Sequence, residues 1–373
     1  MTYLDHNAGT PLHPEVADFL ASAFRTEPAG NPSSVHGAGR AARARLDEAR
    51  ARVASVVGRT PREILFTSSG SEACATAVLG LGRGGTLVTS AIEHPSVLLA
   101  AAQRGTAVVQ VRPGPDGQVA AGELEAALGA AGVAACALQA ANNETGVVQP
   151  AEEMARSARA RGVVSFVDAV QAPGRLPAAF EADVVAYSAH KFGGPAGVGM
   201  LAVRRGVRVE PLVPGHQEGG RRGGTPSVVL CEAAALAMEL AERERSREVE
   251  RLAALRRGFE EALGGWRVRV HGTSAVRLCN TSNVCFVGRD AETVLIALDL
   301  EGFAVSVGAA CASGTMRASP VLLAMGLSET EARSSIRFSF GRGTTEAELT
   351  ALVRALERVV DRGPDRGLPD RGL

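Results

Sequence analysis

The chain has 373 residues, 46% of them apolar and 21% charged, enough for one large domain with a smaller one attached. Lysine plus arginine balances aspartate plus glutamate at 40 each, so no broad electrostatic footprint for nucleic acid or an acidic membrane surface is expected. The start, "MTYLDHNAGTPLHP", has no basic stretch leading into an apolar one, and no apolar run further on approaches membrane-spanning length, so a cytoplasmic protein is expected.

In chain order, short β-branched or apolar runs at 63–68, 86–91, 107–113, 134–140, 163–169, 183–189 and 198–204 predict seven strands, with helical patterns such as 39–58 and 151–162 between them. That alternation predicts an α/β fold with a mostly parallel sheet covered on both faces, which gathers ligands at the carboxyl ends of its strands. Past residue 226 the pattern becomes one long helix over 228–263. Strands at 266–272, 283–288, 303–308 and 335–341, with helices near 291–301, 320–326 and 345–360, then predict a smaller α+β unit. The expected division is an N-terminal segment 1–12, a large domain 13–255, a small C-terminal domain 256–360 and a tail 361–373. The tail repeats Asp-Arg-Gly three times and has too little apolar surface to offset ordering entropy, so disorder is predicted there.

Six cysteines, Cys74, Cys136, Cys231, Cys279, Cys285 and Cys311, form no C-x-x-C pair, which argues against a zinc site or a thioredoxin-like site. Free thiols, most of them buried, are expected.

Lys191 is the only lysine in the chain. Arginine substitutes for lysine at most surface positions but cannot act as an amine nucleophile, so either a chemical role or chance survival in a biased composition explains it. It lies in "YSAHKFGG" (187–194), just past an apolar strand, in a loop whose glycines permit close backbone approach. A lysine there suits Schiff-base chemistry with a carbonyl substrate or with pyridoxal 5'-phosphate.

A pyridoxal site needs three supports, and each has a candidate. Asp168 ends the strand at 163–169, where a carboxylate could pair with the pyridinium nitrogen; alone it reads as a turn or helix-cap aspartate. "TSSGSEA" (67–73) follows a strand and opens a helix, so Gly70 and Ser71 could hold a phosphate; alone it is a plain helix cap. His94, in "AIEHPS", could stack on a planar ring or transfer protons; alone it is a structural histidine. All three fall at the ends of successive predicted strands.

The segments "YLDHNAGTP" (3–11), "NPSSVHGAGRAA" (31–42), "FTSSGSEA" (66–73), "EHPSVL" (93–98), "NNETGVVQP" (142–150), "VDAVQAPG" (167–174), "SAHKFGGPAGVG" (188–199), "GTPS" (224–227), "SVGAACASG" (306–314) and "SIRFSFGRGTT" (335–345) form an ordered set. With them the chain resembles the cysteine desulfurases of the NifS/IscS type, pyridoxal-phosphate enzymes of fold-type I within the class V aminotransferase group. The likeness covers nearly everything but the tail.

The resemblance implies the following roles. Lys191 carries the cofactor as a Schiff base and later moves the substrate α-proton. Asp168 pairs with the ring nitrogen, Gln171 with the phenolic oxygen, and the catalytic His94 stacks on the ring and assists proton transfer. Gly70, Ser71, Ser188 and His190 hold the phosphate, with Thr225 reaching in from the other subunit of a homodimer. Asn143 contacts cofactor and substrate, and Arg337 binds the substrate carboxylate as a fork. Cys311, in a stretch of small residues that suits a loop, takes sulfur from L-cysteine as a persulfide, leaving L-alanine. A sulfur-acceptor protein is then implied, either an iron–sulfur scaffold or a thiotransferase.

The chain departs from the family pattern in places. Gly219 stands where arginine is common, Gly223 where serine is common, and Ala318 and Pro320 where proline and histidine are usual. A selenocysteine lyase, or another class V lyase or aminotransferase in which Cys311 is incidental, is the alternative enzyme. From another class, a catalytically weak partner protein would carry sulfur without turning over cysteine. A dinucleotide-binding reading of "GGPAGVG" is poorer still, since that loop follows His190-Lys191.

Overall fold

The computed structural model describes residues 1–26, 30–82, 84–308 and 317–362. The expected nucleophile Cys311 and the Asp-Arg-Gly tail beyond 362 lie outside these residues.

The chain opens with β1 (Thr2–Tyr3), α1 (Pro14–Thr26) and α2 (Gly37–Val56). Next come β2 (Ile64–Thr67), α3 (Gly70–Gly80), β3 (Thr86–Ser90), α4 (Pro95–Gln103), β4 (Val108–Val111), α5 (Ala121–Leu128), β5 (Val133–Gln139), α6 (Ala151–Ala160), β6 (Val164–Asp168), β7 (Val184–Ser188) and β8 (Gly199–Val203). The long α7 (Val228–Ala262) leads to β9 (Val268–Val270), β10 (Thr281–Phe286), α8 (Ala291–Leu300), β11 (Phe303–Ala304), α9 (Pro320–Ala324), α10 (Glu329–Arg333), β12 (Ser335–Ser339) and α11 (Glu346–Arg362).

Seven strands form the main sheet in the order β2-β8-β7-β6-β5-β3-β4, and only β8 runs against its neighbours. Side chains alternate faces along a strand, and both faces are buried here. Cys136, Leu138, Val185 and Tyr187 pack with α1, α2, α5, α6 and the first half of α7. Ala135, Ala137, Val184 and Ala186 pack with α3 and α4 on the other side. Both faces of these strands are apolar, which is why they read as short continuous hydrophobic runs.

A second core gathers Leu252 and Phe259 from the later part of α7 with β10, β12, α8 and α11. Its sheet is three-stranded and antiparallel, ordered β12-β10-β9. The run at 303–308 differs from its expectation: only Phe303–Ala304 is strand, and it pairs in parallel with Thr2–Tyr3 at the start of the chain. Leu4 enters the second core, and the chain then crosses to the first, where the amides of Thr10 and His13 donate to the carbonyls of His190 (2.8 Å) and Gly193 (2.9 Å). The segment that follows β1, residues 7–13, thereby runs against the Lys191 loop. Among the described residues no helix is long and apolar enough to cross a membrane.

Candidate active site

The parallel strands end along one edge of the sheet, and a cavity of about 350 Å³ opens there. Its lining includes Gly70, Ser71, His94, Asn143, Asp168, Gln171, Ser188, His190, Lys191 and Arg337, drawn from the ends of β2, β3, β5, β6, β7 and from β12. Thr225 is not among the lining residues and is exposed in the single chain.

Lys191 sits in a single 3-10 turn immediately after β7. Its Nζ donates to the carbonyls of Asn7 and Ala8, each at 2.7 Å. Burial, with Arg337 and Arg175 nearby, lowers its pKa to about 8 against the opposing pull of Asp5 and Asp168. A sizeable fraction of the amine is therefore neutral, hence nucleophilic, near neutral pH.

Asp168, the last residue of β6, is buried, and its Oδ1 accepts from the Val170 amide at 3.0 Å. The Cys74 thiol is hydrogen-bonded to Asp168 and Ser96, and burial raises its pKa far above the ordinary value. His94 caps α4: its Nδ1 accepts from the Ser96 amide at 3.1 Å, which leaves the proton of the neutral ring on Nε2. Burial lowers the pKa of His94 and brings that of His190 down to about 4.

At the start of α3, the Gly70 amide donates to Ser188 Oγ at 3.3 Å, and Ser188 Oγ lies 3.0 Å from His190 Nδ1. A Cβ on Gly70 would fall 2.7 Å from Ser188 Cβ, so only glycine lets this helix end approach β7 so closely. The result is a small nest of amides, hydroxyls and imidazole at the positive end of a helix, suited to an anion.

Arg337 lies on β12 and faces the cavity from the second core. Its Nη2 donates to Asp5 Oδ1 at 2.6 Å and its Nη1 to the Asn143 carbonyl at 3.0 Å, while its buried Nε has no partner among the described residues. Beneath the site, buried Arg175 donates to Gln171 Oε1 at 2.7 Å, and Gln171 Nε2 donates to the Asn7 carbonyl at 3.0 Å.

Sequence reasoning missed Asp5, Asn7, Cys74, Glu93, Glu144 and Arg175. Asn7 and Asp5 fall in "YLDHNAGTP", Glu93 in "EHPSVL" and Glu144 in "NNETGVVQP", so four of the six stood inside segments already singled out. Glu93 is fully enclosed: Oε1 accepts from Ser90 Oγ and from the Gln139 amide, Oε2 has no partner among the described residues, and burial lifts its pKa to about 8. Glu144 accepts from Ser319 Oγ at 2.5 Å, and burial raises its pKa against the pull of Ser319 and Arg337.

A lone reactive amine, a buried carboxylate at a strand end and an anion nest in one cavity define a pyridoxal-phosphate type of site. The Aminotransferase class-V family matches residues 2–352, and the chain belongs to that family, whose pyridoxal-phosphate members adopt fold-type I. A relative named cysteine desulfurase, from Trichormus azollae, is 38% identical, with 96% of this chain and 93% of the relative covered. Among solved structures, a NifS-like protein superposes with a TM-score of 0.89 at 33% identity, covering 96% of this chain and 99% of its own. Another, described as SspA in complex with cysteine, gives 0.79 at 29% identity over 91% and 99%.

Proposed function

We propose that this chain is a pyridoxal-phosphate-dependent cysteine desulfurase. It converts L-cysteine to L-alanine and takes the sulfur onto Cys311 as a persulfide for delivery to acceptor proteins in iron–sulfur assembly or thio-modification. The observation that carries this reading is the convergence of the single lysine with Asp168, the anion nest and Arg337 in one cavity. The names of the relatives and of the cysteine-bound structural neighbour support it.

The residues fit the cofactor. The start of α3 lines the cavity together with the Ser71 and Ser188 side chains, which suits a phosphate, and Asp168 is a buried carboxylate lining the same cavity, which suits a ring nitrogen. Pyridoxal phosphate, when bound, supplies an electron sink conjugated to the substrate α-carbon. Lys191 would hold the cofactor through Nζ and would move the substrate α-proton. Asp168 keeps a proton on the ring nitrogen, and Gln171 orients toward the phenolic oxygen. His94 presents its ring face and its Nε2 proton, while Gly70, Ser71, Ser188 and His190 fix the phosphate. Arg337 and Asn143 orient the substrate carboxylate.

In sulfur transfer the Cys311 thiolate forms an S–S bond with the substrate sulfur as the Cβ–S bond breaks. The bonding pair stays on carbon, which takes up one proton. Sulfur is oxidised to the persulfide level while carbon is reduced, so no outside oxidant is needed. The same reading makes the protein a cytoplasmic homodimer in which Thr225 completes the partner's phosphate site, with a small domain at 256–360 supplying Arg337 and Cys311.

Single-turnover release of alanine from cysteine, with reductant withheld, tests this together with mass analysis of the Cys311 peptide. Alanine with one added sulfur on Cys311, both abolished in Cys311→Ser, is expected. Alanine with Cys311 unmodified would overturn the reading in favour of direct lyase chemistry.

A further inference from the structure

We propose that Glu144 is a positioning residue for sulfur transfer: its carboxylate holds together Gly308 and Ser319, the two residues that flank the stretch of sequence carrying Cys311. This rests on the desulfurase reading above. Glu144 lies in the turn after β5, next to Asn143, and is 6% exposed. Its Oε2 accepts from Ser319 Oγ at 2.5 Å, and Ser319 Oγ in turn accepts from the Leu322 amide at 3.2 Å, so one hydroxyl joins the carboxylate to the start of α9.

On the other flank, Gly308 lies against the same oxygen. A Cβ there would fall 2.1 Å from Glu144 Oε2 and 2.7 Å from Ser319 Cβ, so residue 308 must be glycine while the carboxylate keeps this place. The chain leading into Gly308 is anchored as well, because Ser306 and Arg337 exchange backbone hydrogen bonds at 2.7 and 3.2 Å.

The backbone of the same turn is fixed from both sides. Asn142 Oδ1 accepts from the amides of Glu144 and Thr145 at 2.9 Å each, and Asn283 Nδ2 donates to the Glu144 carbonyl at 3.2 Å. The carboxylate is thus a fixed post at the large sheet's edge, hydrogen-bonded to Ser319 on one flank of the Cys311 stretch and packed against Gly308 on the other. Fixing these two described flanks limits where the nucleophile carried between them can reach, and attack on the substrate sulfur depends on such orientation.

The test uses the cofactor-loaded full chain. Glu144→Ala should slow persulfide formation on Cys311, read by single-turnover mass analysis, by about ten- to a hundredfold. The visible absorption change on adding cysteine should persist, with KM within about twofold. Glu144→Gln, which keeps an acceptor oxygen for Ser319, should restore the rate to within about threefold. In hydrogen exchange on the cofactor-free protein, the α9 amides should lose protection in Glu144→Ala and keep it in Glu144→Gln.

Gly308→Ala, whose Cβ would fall 2.1 Å from Glu144 Oε2 and so must push the carboxylate aside, should slow the transfer on its own and have a smaller effect in the Glu144→Ala background, where only the approach to Ser319 Cβ remains. It also serves as the deciding variant if Glu144→Ala does not fold. Wild-type persulfide rates in either single variant, or a loss of the absorption change along with the rate, would overturn the role. Wild-type protein that releases alanine yet leaves Cys311 unmodified would instead refute the desulfurase reading on which it rests.

Discussion

Replacing Gly70 with alanine sets two effects against each other at the point where α3 meets β7. Helix propensity favours alanine by up to about 1 kcal/mol. Against it, the added Cβ falls 2.7 Å from Ser188 Cβ and 3.1 Å from both Ser188 Oγ and Val170 Cγ2. Carbon atoms pack at roughly 3.5–4.0 Å, so the helix end must withdraw by about 1 Å. Overpacking of that kind costs about 1–3 kcal/mol, which outweighs the propensity gain. The withdrawal also pulls Ser71 away from Ser188 and His190, which the proposed function makes the phosphate cradle. Cofactor affinity should therefore fall roughly ten- to a hundredfold, corresponding to about 1.4–2.8 kcal/mol. Titrating cofactor-free Gly70→Ala with pyridoxal phosphate by absorbance gives the dissociation constant directly. A value within twofold of wild type, with a raised melting temperature, would refute the steric argument and leave propensity in charge.

Three further outcomes are expected. Because burial and neighbouring arginines lower the Lys191 pKa to about 8, the rate at which pyridoxal phosphate adds to the cofactor-free protein should climb as pH rises through about 8 and level off above it; Lys191→Arg should leave no reducible adduct beyond the trace formed at the amino terminus. Glu93 is a carboxyl whose folded pKa of about 8 lies above its ordinary value of 4.5, so the folded state holds its proton more tightly. Its contribution to stability is greatest below pH 4.5 and declines as pH rises toward 8. Glu93→Gln should flatten that part of the profile and melt a few degrees above wild type at alkaline pH, measured as the difference between their melting curves. Arg337→Lys removes the planar fork that Asp5 and the Asn143 carbonyl hold, and should lower kcat/KM for cysteine about ten- to a hundredfold while the cofactor absorption stays as in wild type.

Much of the scaffold was legible because the main-sheet strands are buried on both faces and short: each of the seven expected runs matches its observed strand to within two residues at either end. The lysine, the strand-end aspartate and the helix-opening glycine were legible for the same reason, since a parallel sheet brings its strand ends to one edge whatever the intervening sequence. Contacts that join distant parts of the chain were not. Arg337 pairs with Asp5 across 332 positions, and Asn7 meets the side chains of Asn280 and Thr281 across more than 270. No local pattern encodes such pairings, so the place of residues 7–13 against the Lys191 loop emerges only when both cores are assembled. Glu93 and Glu144 were invisible as buried acids because charge patterning reads every glutamate as a solvated one. The partial strand at Phe303–Ala304 reflects the same limit, since its partner is the second residue pair of the chain.

The solitary amine has a consequence for how the molecule meets reactive carbonyls in general. Apart from the chain's own amino terminus, Lys191 offers the only primary amine, and it is partly enclosed with its Nζ engaged by two carbonyls. Aldehydes that scatter over the surface lysines of an ordinary protein find no such targets here. Reductive trapping of a bound aldehyde should therefore give a nearly single-site adduct, and its stoichiometry would count functional cavities without any separation of products. An arginine-rich surface in this way protects the fidelity of labelling at the one position where an imine can form.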